Sequence, residues 1–320
     1  MTSPVLITGG AGFIGSHLAE RLSHQGIDVL CLDNFDSYYP RTLKQRNLQP
    51  ALDSGRAKLV AADVRSRAAL DEVFRDAQPE TVVHLAGRPG VRLSLSRSGA
   101  YFDNNVRGTL NVLRTCAEYG VRRMVFASSS SVYGVVDGPA NEDVTVCRPL
   151  SPYGASKVAA EALCSAFASS APMSVVALRF FTVFGPRQRP DMAINRFTRL
   201  IAAGQSVPVY GSGASLRDYT FVSDIVDGVE AAMGANTDGY DVINLGRGSP
   251  VSLLHLIGLI ERQLGRTAQL RHLAERPGDP PSTWADIAKA RRILGYDPRV
   301  SIEEGVAQYV CWFRQQMGID

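Results

Sequence analysis

The sequence lacks any run long and apolar enough to span a membrane. It opens without a basic stretch followed by a long apolar core, so no secretory leader is expected. Cysteine is scarce: Cys31, Cys116, Cys147, Cys164 and Cys311 are odd in number and show no C-x-x-C spacing. A disulfide framework or a metal centre is therefore not expected. The thiols read as small buried hydrophobes in a reducing, cytoplasmic compartment. Net charge is also slight, +3 from 34 basic and 31 acidic residues. That balance gives no reason to expect nucleic acid or a membrane surface as partner. No internal repeat or low-complexity tract interrupts the chain. What remains is ordinary globular composition, 45% hydrophobic and 20% charged. Its 320 residues give room for about two domains.

The stretch from Val5 to Leu18, V-L-I-T-G-G-A-G-F-I-G-S-H-L, organises the rest. Val5 to Ile7 reads as a buried strand, and helical spacing begins at Phe13. Gly9, Gly12 and Gly15 punctuate the turn between them. Glycines there permit a tight turn, close approach of backbone to a pyrophosphate, and close helix–strand packing. The helix start offers free N–H groups and the positive end of its dipole. A second apolar run, Ile27 to Leu32, ends on Asp33, where a parallel neighbouring strand places a carboxylate against a ribose 2′-hydroxyl. The combination predicts dinucleotide binding. The acid at Asp33, with no arginine directly after it, favours NAD over NADP, because a 2′-phosphate meets a like charge.

Strand-like runs alternate with helical patterns: Val5–Ile7, Val29–Leu32, Lys58–Ala61, Thr81–Leu85, Met124–Ala127 and Ser174–Leu178, with amphipathic segments at Ala68–Phe74, Phe102–Tyr119 and Tyr153–Ala168. That alternation predicts an α/β fold with a doubly wound parallel sheet. After Gly185 the pattern loosens, with a helix expected around Ile194–Ala203 and a strand at Val207–Tyr210. The chain is expected to return to the sheet near Val222–Met233 and Asp241–Leu245. The division expected is a dinucleotide-binding domain over 1–180, revisited at about 221–248, and a smaller discontinuous domain from 181–220 and 249–320.

Tyr153 and Lys157 stand four apart in S-P-Y-G-A-S-K, so one helix face carries both. Pro152 fits the first turn of that helix. A lysine cation beside a phenol favours phenolate and makes Tyr153 a general base near neutral pH. The run Ser128 to Ser131 at a strand end can supply a hydroxyl to the reacting oxygen. The alternative is a solvated helix face, which the dinucleotide turn upstream argues against.

With T-G-G-A-G-F-I-G-S-H, L-D-N-F, A-A-D-V, H-L-A-G, Y-F-D-N-N-V-R-G-T, S-S-S-S-V-Y-G, S-P-Y-G-A-S-K, L-R-D-Y-T-F-V-S-D and R-P-G-D in succession, nearly the whole chain resembles the extended short-chain dehydrogenase/reductase superfamily, in its nucleotide-sugar epimerase/dehydratase branch. The resemblance implies a Rossmann-type sheet and a tightly bound NAD. Gly9, Gly12, Phe13, Ile14 and Gly15 would lie on its phosphates, Asp33 and Asn34 on its ribose, and Asp63 and Val64 near adenine. Leu85, Ala86, Gly87 and Arg88 would follow the pyrophosphate–nicotinamide path, with Asn104 beneath, Phe180 alongside, and Tyr153 and Lys157 at the nicotinamide ribose. It implies Ser129, Tyr153 and Lys157 as the catalytic set. Implied substrate contacts are Arg88, Ser128, Ser129 and Ser130, with Arg217 and Arg276 on a nucleotide diphosphate and Asp279 on a uridine ribose. A homodimer through a four-helix bundle of Phe102–Tyr119 and Tyr153–Ala168 is also implied. Other readings stay open: Arg217 in a surface ion pair, and Asp63 capping the next helix.

The reaction follows from what is missing. The related sugar dehydratases carry Asp-Glu after the catalytic residue, and the uronate decarboxylases carry Glu at the place of Ser131. This chain has Ser130-Ser131, so elimination and decarboxylation lack their proton carriers, and 4-epimerisation through a transient 4-keto sugar is expected. The stretch Arg179 to Ile194, R-F-F-T-V-F-G-P-R-Q-R-P-D-M-A-I, resembles the UDP-glucuronate 4-epimerases, where Thr182 and Arg189 match the residues that hold the C5 carboxylate. An ionised carboxylate in a closed pocket needs such donors. The alternative for Arg189 is a loop salt bridge to Asp191. Neutral UDP-glucose or UDP-N-acetylglucosamine remain alternative substrates, and a non-catalytic NAD-sensing protein is the alternative from a different class.

Overall fold

A computed structural model of the chain describes residues 3–143, 146–275 and 280–318. In chain order the elements are β1 (Val5–Thr8), α1 (Phe13–His24), β2 (Val29–Asp33), α2 (Arg41–Asp53), β3 (Ala57–Ala61), α3 (Arg67–Ala77), β4 (Thr81–His84), α4 (Val91–Ser96) and α5 (Ser98–Tyr101). Then follow a π-helical turn (Phe102–Arg107), α6 (Gly108–Glu118), β5 (Arg123–Ser129), a 3-10 turn (Ser130–Val132), α7 (Pro152–Ser170), β6 (Ser174–Phe180), β7 (Thr182–Phe184) and α8 (Ala193–Ala202). The last third comprises β8 (Val207–Tyr210), β9 (Leu216–Phe221), α9 (Val222–Gly234), β10 (Tyr240–Leu245), β11 (Pro250–Ser252), α10 (Leu253–Leu264), β12 (Leu270–Leu273), β13 (Ser282–Thr283), α11 (Ala288–Leu294) and α12 (Ile302–Met317).

Seven parallel strands form the main sheet in the order β10-β6-β5-β4-β1-β2-β3. Their sequences are nearly continuous apolar runs because both faces are covered. Val5 and Ile7 of β1 join one core with Leu18, Leu22 and Leu48 from α1 and α2. Leu6, between them, joins the other core with Phe74, Leu113 and Cys164 from α3, α6 and α7. The period-2 alternation of one short strand thus sorts its side chains into two layers.

Strand order reverses between β1 and β4, and in such sheets ligands sit at that crevice, beyond the carboxyl ends of the strands. The turns after β1, β2, β4 and β5 all open there. After β6 the chain builds two smaller sheets, one of β11, β9, β13 and β7 and one of β12 and β8. It returns to the main sheet as helix α9, packed on α1 and β5, and strand β10, paired with β6. The uniform helix expected over Phe102–Tyr119 is in fact a π-helical turn followed by α6. Such insertions cluster at functional sites, and this one lies on the cleft.

Candidate active site

The glycine turn is shaped by contacts that only glycine tolerates. Gly9 has φ +72°, and a Cβ there would stand 2.8 Å from the Ala86 nitrogen. A Cβ on Gly15 would meet the Gly9 carbonyl oxygen at 2.3 Å. Helix α1 therefore starts hard against β1, and its N-cap, Gly12, supplies no side-chain cap. The first-turn N–H groups are left for an anion, as a dinucleotide pyrophosphate requires. Asp33 is buried at the end of β2, accepting from the Ala11 N–H at 3.2 Å and the Phe35 N–H at 2.8 Å. One carboxylate thus braces both the glycine turn and the loop after β2.

Gly9, Gly12, Phe13, Ile14, Gly15, Asp33, Asn34, Val64, Leu85, Ala86, Gly87, Arg88, Asn104, Tyr153, Lys157 and Phe180 all line one cleft, together with Ser128 and Arg189. Asp63 stands outside that lining, and its carboxylate takes hydrogen bonds from Asn34 at 2.9 Å and from the Arg65 guanidinium at 2.7 Å. Burial alone would raise its pKa, but the bonds from Arg65 and then Asn34 bring it down to about 2. Nor does Asp63 cap α3: the Ser66 hydroxyl accepts from the Ala69 N–H there.

The catalytic set is assembled from two elements. β5 delivers Ser129 at its carboxyl end, and α7 delivers Tyr153 and Lys157 from its first two turns, with Ser151 capping the Gly154 N–H at 3.1 Å. A Cβ on Gly154 would sit 2.4 Å from the Ser131 carbonyl oxygen, so glycine lets the helix start press on the serine turn. Ser129 Oγ accepts from the Ser131 N–H at 3.1 Å, which leaves its own proton to donate. Burial raises the Tyr153 pKa, while the Ser129 hydroxyl and then the Arg189 charge oppose the rise.

Lys157 corrects the sequence reading. It shares the face with Tyr153, but its Nζ donates to the Ala127 carbonyl at 2.7 Å, over the Phe126 ring. Burial lowers its pKa to about 8. The charge felt by the phenol is that of Arg189, on a loop distant in sequence. Ser128 differs too: its hydroxyl donates to Glu161, which pairs with Arg179 at 2.7 Å in the protein interior. Ser130 lies in the 3-10 turn, where its carbonyl accepts from the Tyr133 N–H at 3.1 Å.

The remaining expected substrate residues are more scattered. Thr182 is half-buried in β7, opposite Tyr219 and outside the cleft lining. Arg189 lines the cleft and pairs with Asp191 through Nε at 3.0 Å and Nη2 at 3.2 Å, so the loop salt bridge of the alternative reading is present. Arg217 on β9 donates to the Leu216 carbonyl at 2.8 Å and the Pro281 carbonyl at 3.4 Å. Arg276 and Asp279 lie outside the described residues. Arg88 lines the wall with its guanidinium on both oxygens of Asp36 at 3.0 Å.

Sequence reasoning missed the supports of the site. His84, fully buried, has Nδ1 2.6 Å from Thr8 Oγ1 and Nε2 3.0 Å from Thr109 Oγ1. Thr109 spends its proton on the Asn105 carbonyl at 2.6 Å, so it accepts from His84 Nε2–H, and Nδ1 accepts from Thr8. Asn105 continues the chain, binding the Arg88 N–H at 2.7 Å, the Arg88 carbonyl at 3.0 Å and Ser156 at 2.9 Å, and Ser156 reaches the Tyr153 carbonyl at 2.7 Å. A buried polar chain thus joins β1, β4, the π-helical turn and the catalytic helix. The loop carrying Asp36, Tyr38 and Tyr39 was also missed, although its two tyrosines beside acids were a visible signal. Among the described residues no group of side chains could hold a metal ion, and no helix is long and apolar enough to cross a membrane.

The sheet order, the glycine turn and the Ser129–Tyr153–Lys157 cluster define a Rossmann-type enzyme built for NAD. The family model of the NAD dependent epimerase/dehydratase family matches residues 5–246, and the chain belongs to that family. It is 39% identical over 313 residues to a UDP-glucuronate 4-epimerase of Thermodesulfobacterium geofontis, covering 98% of this chain and 96% of that protein. The solved UDP-glucuronic acid 4-epimerase of Bacillus cereus with UDP-glucuronic acid and NAD superposes with TM-score 0.92, at 36% identity, covering 98% of this chain and 99% of that one. MoeE5 with UDP-glucuronic acid and NAD superposes with TM-score 0.89, at 40% identity over the same shares. MoeE5 has also been solved with UDP-glucose and NAD.

Proposed function

We propose that the protein interconverts UDP-glucuronate and UDP-galacturonate by NAD-dependent 4-epimerisation. One observation carries the choice of substrate: the Arg189 guanidinium lines the same cleft as Tyr153, close enough for its charge to act on the phenol. A cation beside the reacting centre suits a sugar that carries a carboxylate at C5. The named relatives support the same reading.

Bound NAD supplies a reversible hydride acceptor for the sugar, so net redox change is zero. Tyr153 takes the proton of the C4 hydroxyl as that carbon becomes a ketone, and returns it after the 4-keto sugar has turned in the cleft. Ser129 donates to the same oxygen. Lys157, near Gly87 on the cleft wall, holds the cofactor ribose. Thr182 and Arg189 hold the carboxylate. Residues 181–220 and 249–320 form the nucleotide-sugar-binding domain, with Arg217, Arg276 and Asp279 toward the nucleotide. The enzyme works in the cytoplasm as a homodimer through a four-helix bundle of the helices around Phe102–Tyr119 and Tyr153–Ala168.

The pairing of Arg189 with Asp191 favours a second reading, in which the guanidinium is already satisfied and the substrate is a neutral UDP-hexose. Product NMR after separate incubation with UDP-glucuronate, UDP-glucose and UDP-N-acetylglucosamine decides between them. Turnover of UDP-glucuronate to its C4 epimer is expected. Turnover of a neutral hexose alone would replace the uronate reading.

A further inference from the structure

We propose that Asp191 is an internal counter-ion that pairs with Arg189 and yields it to the substrate carboxylate, making Asp191 a specificity-determining residue. The inference rests on the uronate reading above. Asp191 sits two residues from Arg189 and engages it through both carboxylate oxygens. That is the geometry in which a guanidinium binds any carboxylate, including one on a sugar. The two side chains differ in exposure: Arg189 is 19% exposed and faces the cleft, whereas Asp191 is 41% exposed and faces water. A carboxylate so placed loses little when its partner turns away, because water takes over its solvation.

The pair is held from a third side. Tyr38 donates its hydroxyl to Asp191 at 3.1 Å, and the Arg189 guanidinium lies 5.7 Å from the centre of the Tyr38 ring. Tyr38 reaches that point because residue 90 is glycine, where a Cβ would stand 2.6 Å from the Tyr38 hydroxyl oxygen. The same loop is anchored two residues earlier by Asp36 on Arg88. Tyr38 can therefore keep Asp191 in place after Arg189 has left it, so the counter-ion is ready to take the arginine back on product release. A neutral sugar offers no carboxylate and leaves the pair closed. An anionic sugar exchanges one carboxylate for another on Arg189, and the charge of Asp191 is left to Tyr38 and water.

Competition of this kind is read by binding. NAD-loaded protein in a Tyr153→Phe background, where turnover is stopped, would be titrated calorimetrically with UDP-glucuronate and with UDP-glucose. With Asp191→Asn added, UDP-glucuronate should bind threefold to tenfold more tightly and UDP-glucose unchanged. Asp191→Glu, which restores the competing charge, should return the first value toward that of the parent. Unchanged or weaker UDP-glucuronate binding in Asp191→Asn overturns the proposal and leaves Asp191 as a support that aims Arg189. Arg189→Ala separates this from failure of the functional reading. If Arg189→Ala weakens UDP-glucuronate selectively, the uronate reading stands whatever Asp191 does; if it does not, the uronate reading falls and the counter-ion with it.

Discussion

Lys157 donates its ammonium to the Ala127 carbonyl at 2.7 Å, at the end of the strand that carries Ser128 and Ser129. Only 5% of the residue is exposed, and burial lowers its pKa from 10.5 to about 8. The folded state therefore disfavours the charged form. Between pH 8 and 10.5 the unfolded chain binds more protons than the folded one, so stability rises with pH across that window. At about 1.4 kcal/mol per unit, the net cost of the charge is about 3 kcal/mol at neutral pH, with the bond to Ala127 already included. Lys157→Met should thus be as stable as the parent at pH 7, or more so, and lose the rise between pH 8 and 10.5. NAD retention and turnover should fall. Urea denaturation at several pH values checks the first part; a strongly destabilised variant with an unchanged pH slope would show that the charge is not disfavoured.

Tyr153→Phe removes the proton carrier while leaving the ring that meets Tyr101 edge-on at 6.1 Å. Folding and NAD occupancy should survive. Turnover should fall by about a thousandfold or more, toward the upper end of what one general acid–base group contributes. Near-normal activity would move the base to another residue.

Asp33→Ala tests the carboxylate that braces both the Ala11 N–H and the Phe35 N–H. Two backbone donors lose their acceptor and the ribose loses its partner, so NAD should dissociate more easily while UDP-sugar affinity changes little. Cofactor content of the purified protein, read by absorbance after denaturation, gives the answer. Unchanged occupancy would mean that the carboxylate is structural only.

What was legible in the sequence was local. The glycine turn, Asp33 at a strand end and Tyr153-x-x-x-Lys157 each lie within one strand–turn–helix unit or one helical turn, where spacing alone fixes geometry. The alternation of strands and helices likewise placed the six strands from β1 to β6, because a strand covered on both faces must be apolar throughout. What escaped was set by partners far along the chain. Tyr38 meets Asp191 across 153 residues, and Asn105 meets Ser156 across 51. Lys157 was expected to act on the phenol because helical spacing puts the two on one face. Spacing does not say where a long side chain ends, and the Ala127 carbonyl decided that.

His84 illustrates the same point with a pH consequence. It is buried, neutral and accepting from Thr8, and burial followed by the Lys157 charge lowers its pKa to about 3. His17 behaves alike, lowered to about 4 by burial and then by Arg187, with its Nε2 2.9 Å from the Pro186 carbonyl. As pH falls from 6.5 the unfolded chain gains protons that these rings refuse, so stability drops from 6.5 down to about 3. His84→Gln should lose about 1–3 kcal/mol at pH 7 from broken buried hydrogen bonds. It should also show a shallower loss toward acid than the parent, the remaining slope belonging to His17 and the carboxylates. Melting temperatures from pH 7 to pH 4 test this, and parallel curves for parent and variant would remove His84 from the acid response.

The pair of Glu161 and Arg179 separates stability from catalysis beneath the serine turn. Their side chains are 8% and 7% exposed, and the guanidinium gives Nε at 3.0 Å and Nη2 at 2.7 Å to the two carboxylate oxygens. Glu161 also accepts from Ser128, one residue before the catalytic Ser129. Taking charges out of water costs several kcal/mol per ion, which their attraction only balances when the geometry is good. Removing one partner strands the other, so Glu161→Gln should destabilise the fold by about 3–5 kcal/mol. Replacing both, as Glu161→Leu with Arg179→Met, should be far milder than the sum of the two single changes. If the pair serves stability alone, the double variant recovers turnover along with its fold. If it also fixes the register of the serine turn, the double variant folds but Ser129 is misplaced, and turnover stays low while NAD occupancy is normal. We expect the second outcome, because the Ser128 hydroxyl is anchored on Glu161, and without that anchor the adjoining Ser129 loses support. Denaturation curves and initial rates on the three variants distinguish the cases; full activity in the double variant would assign the pair to stability.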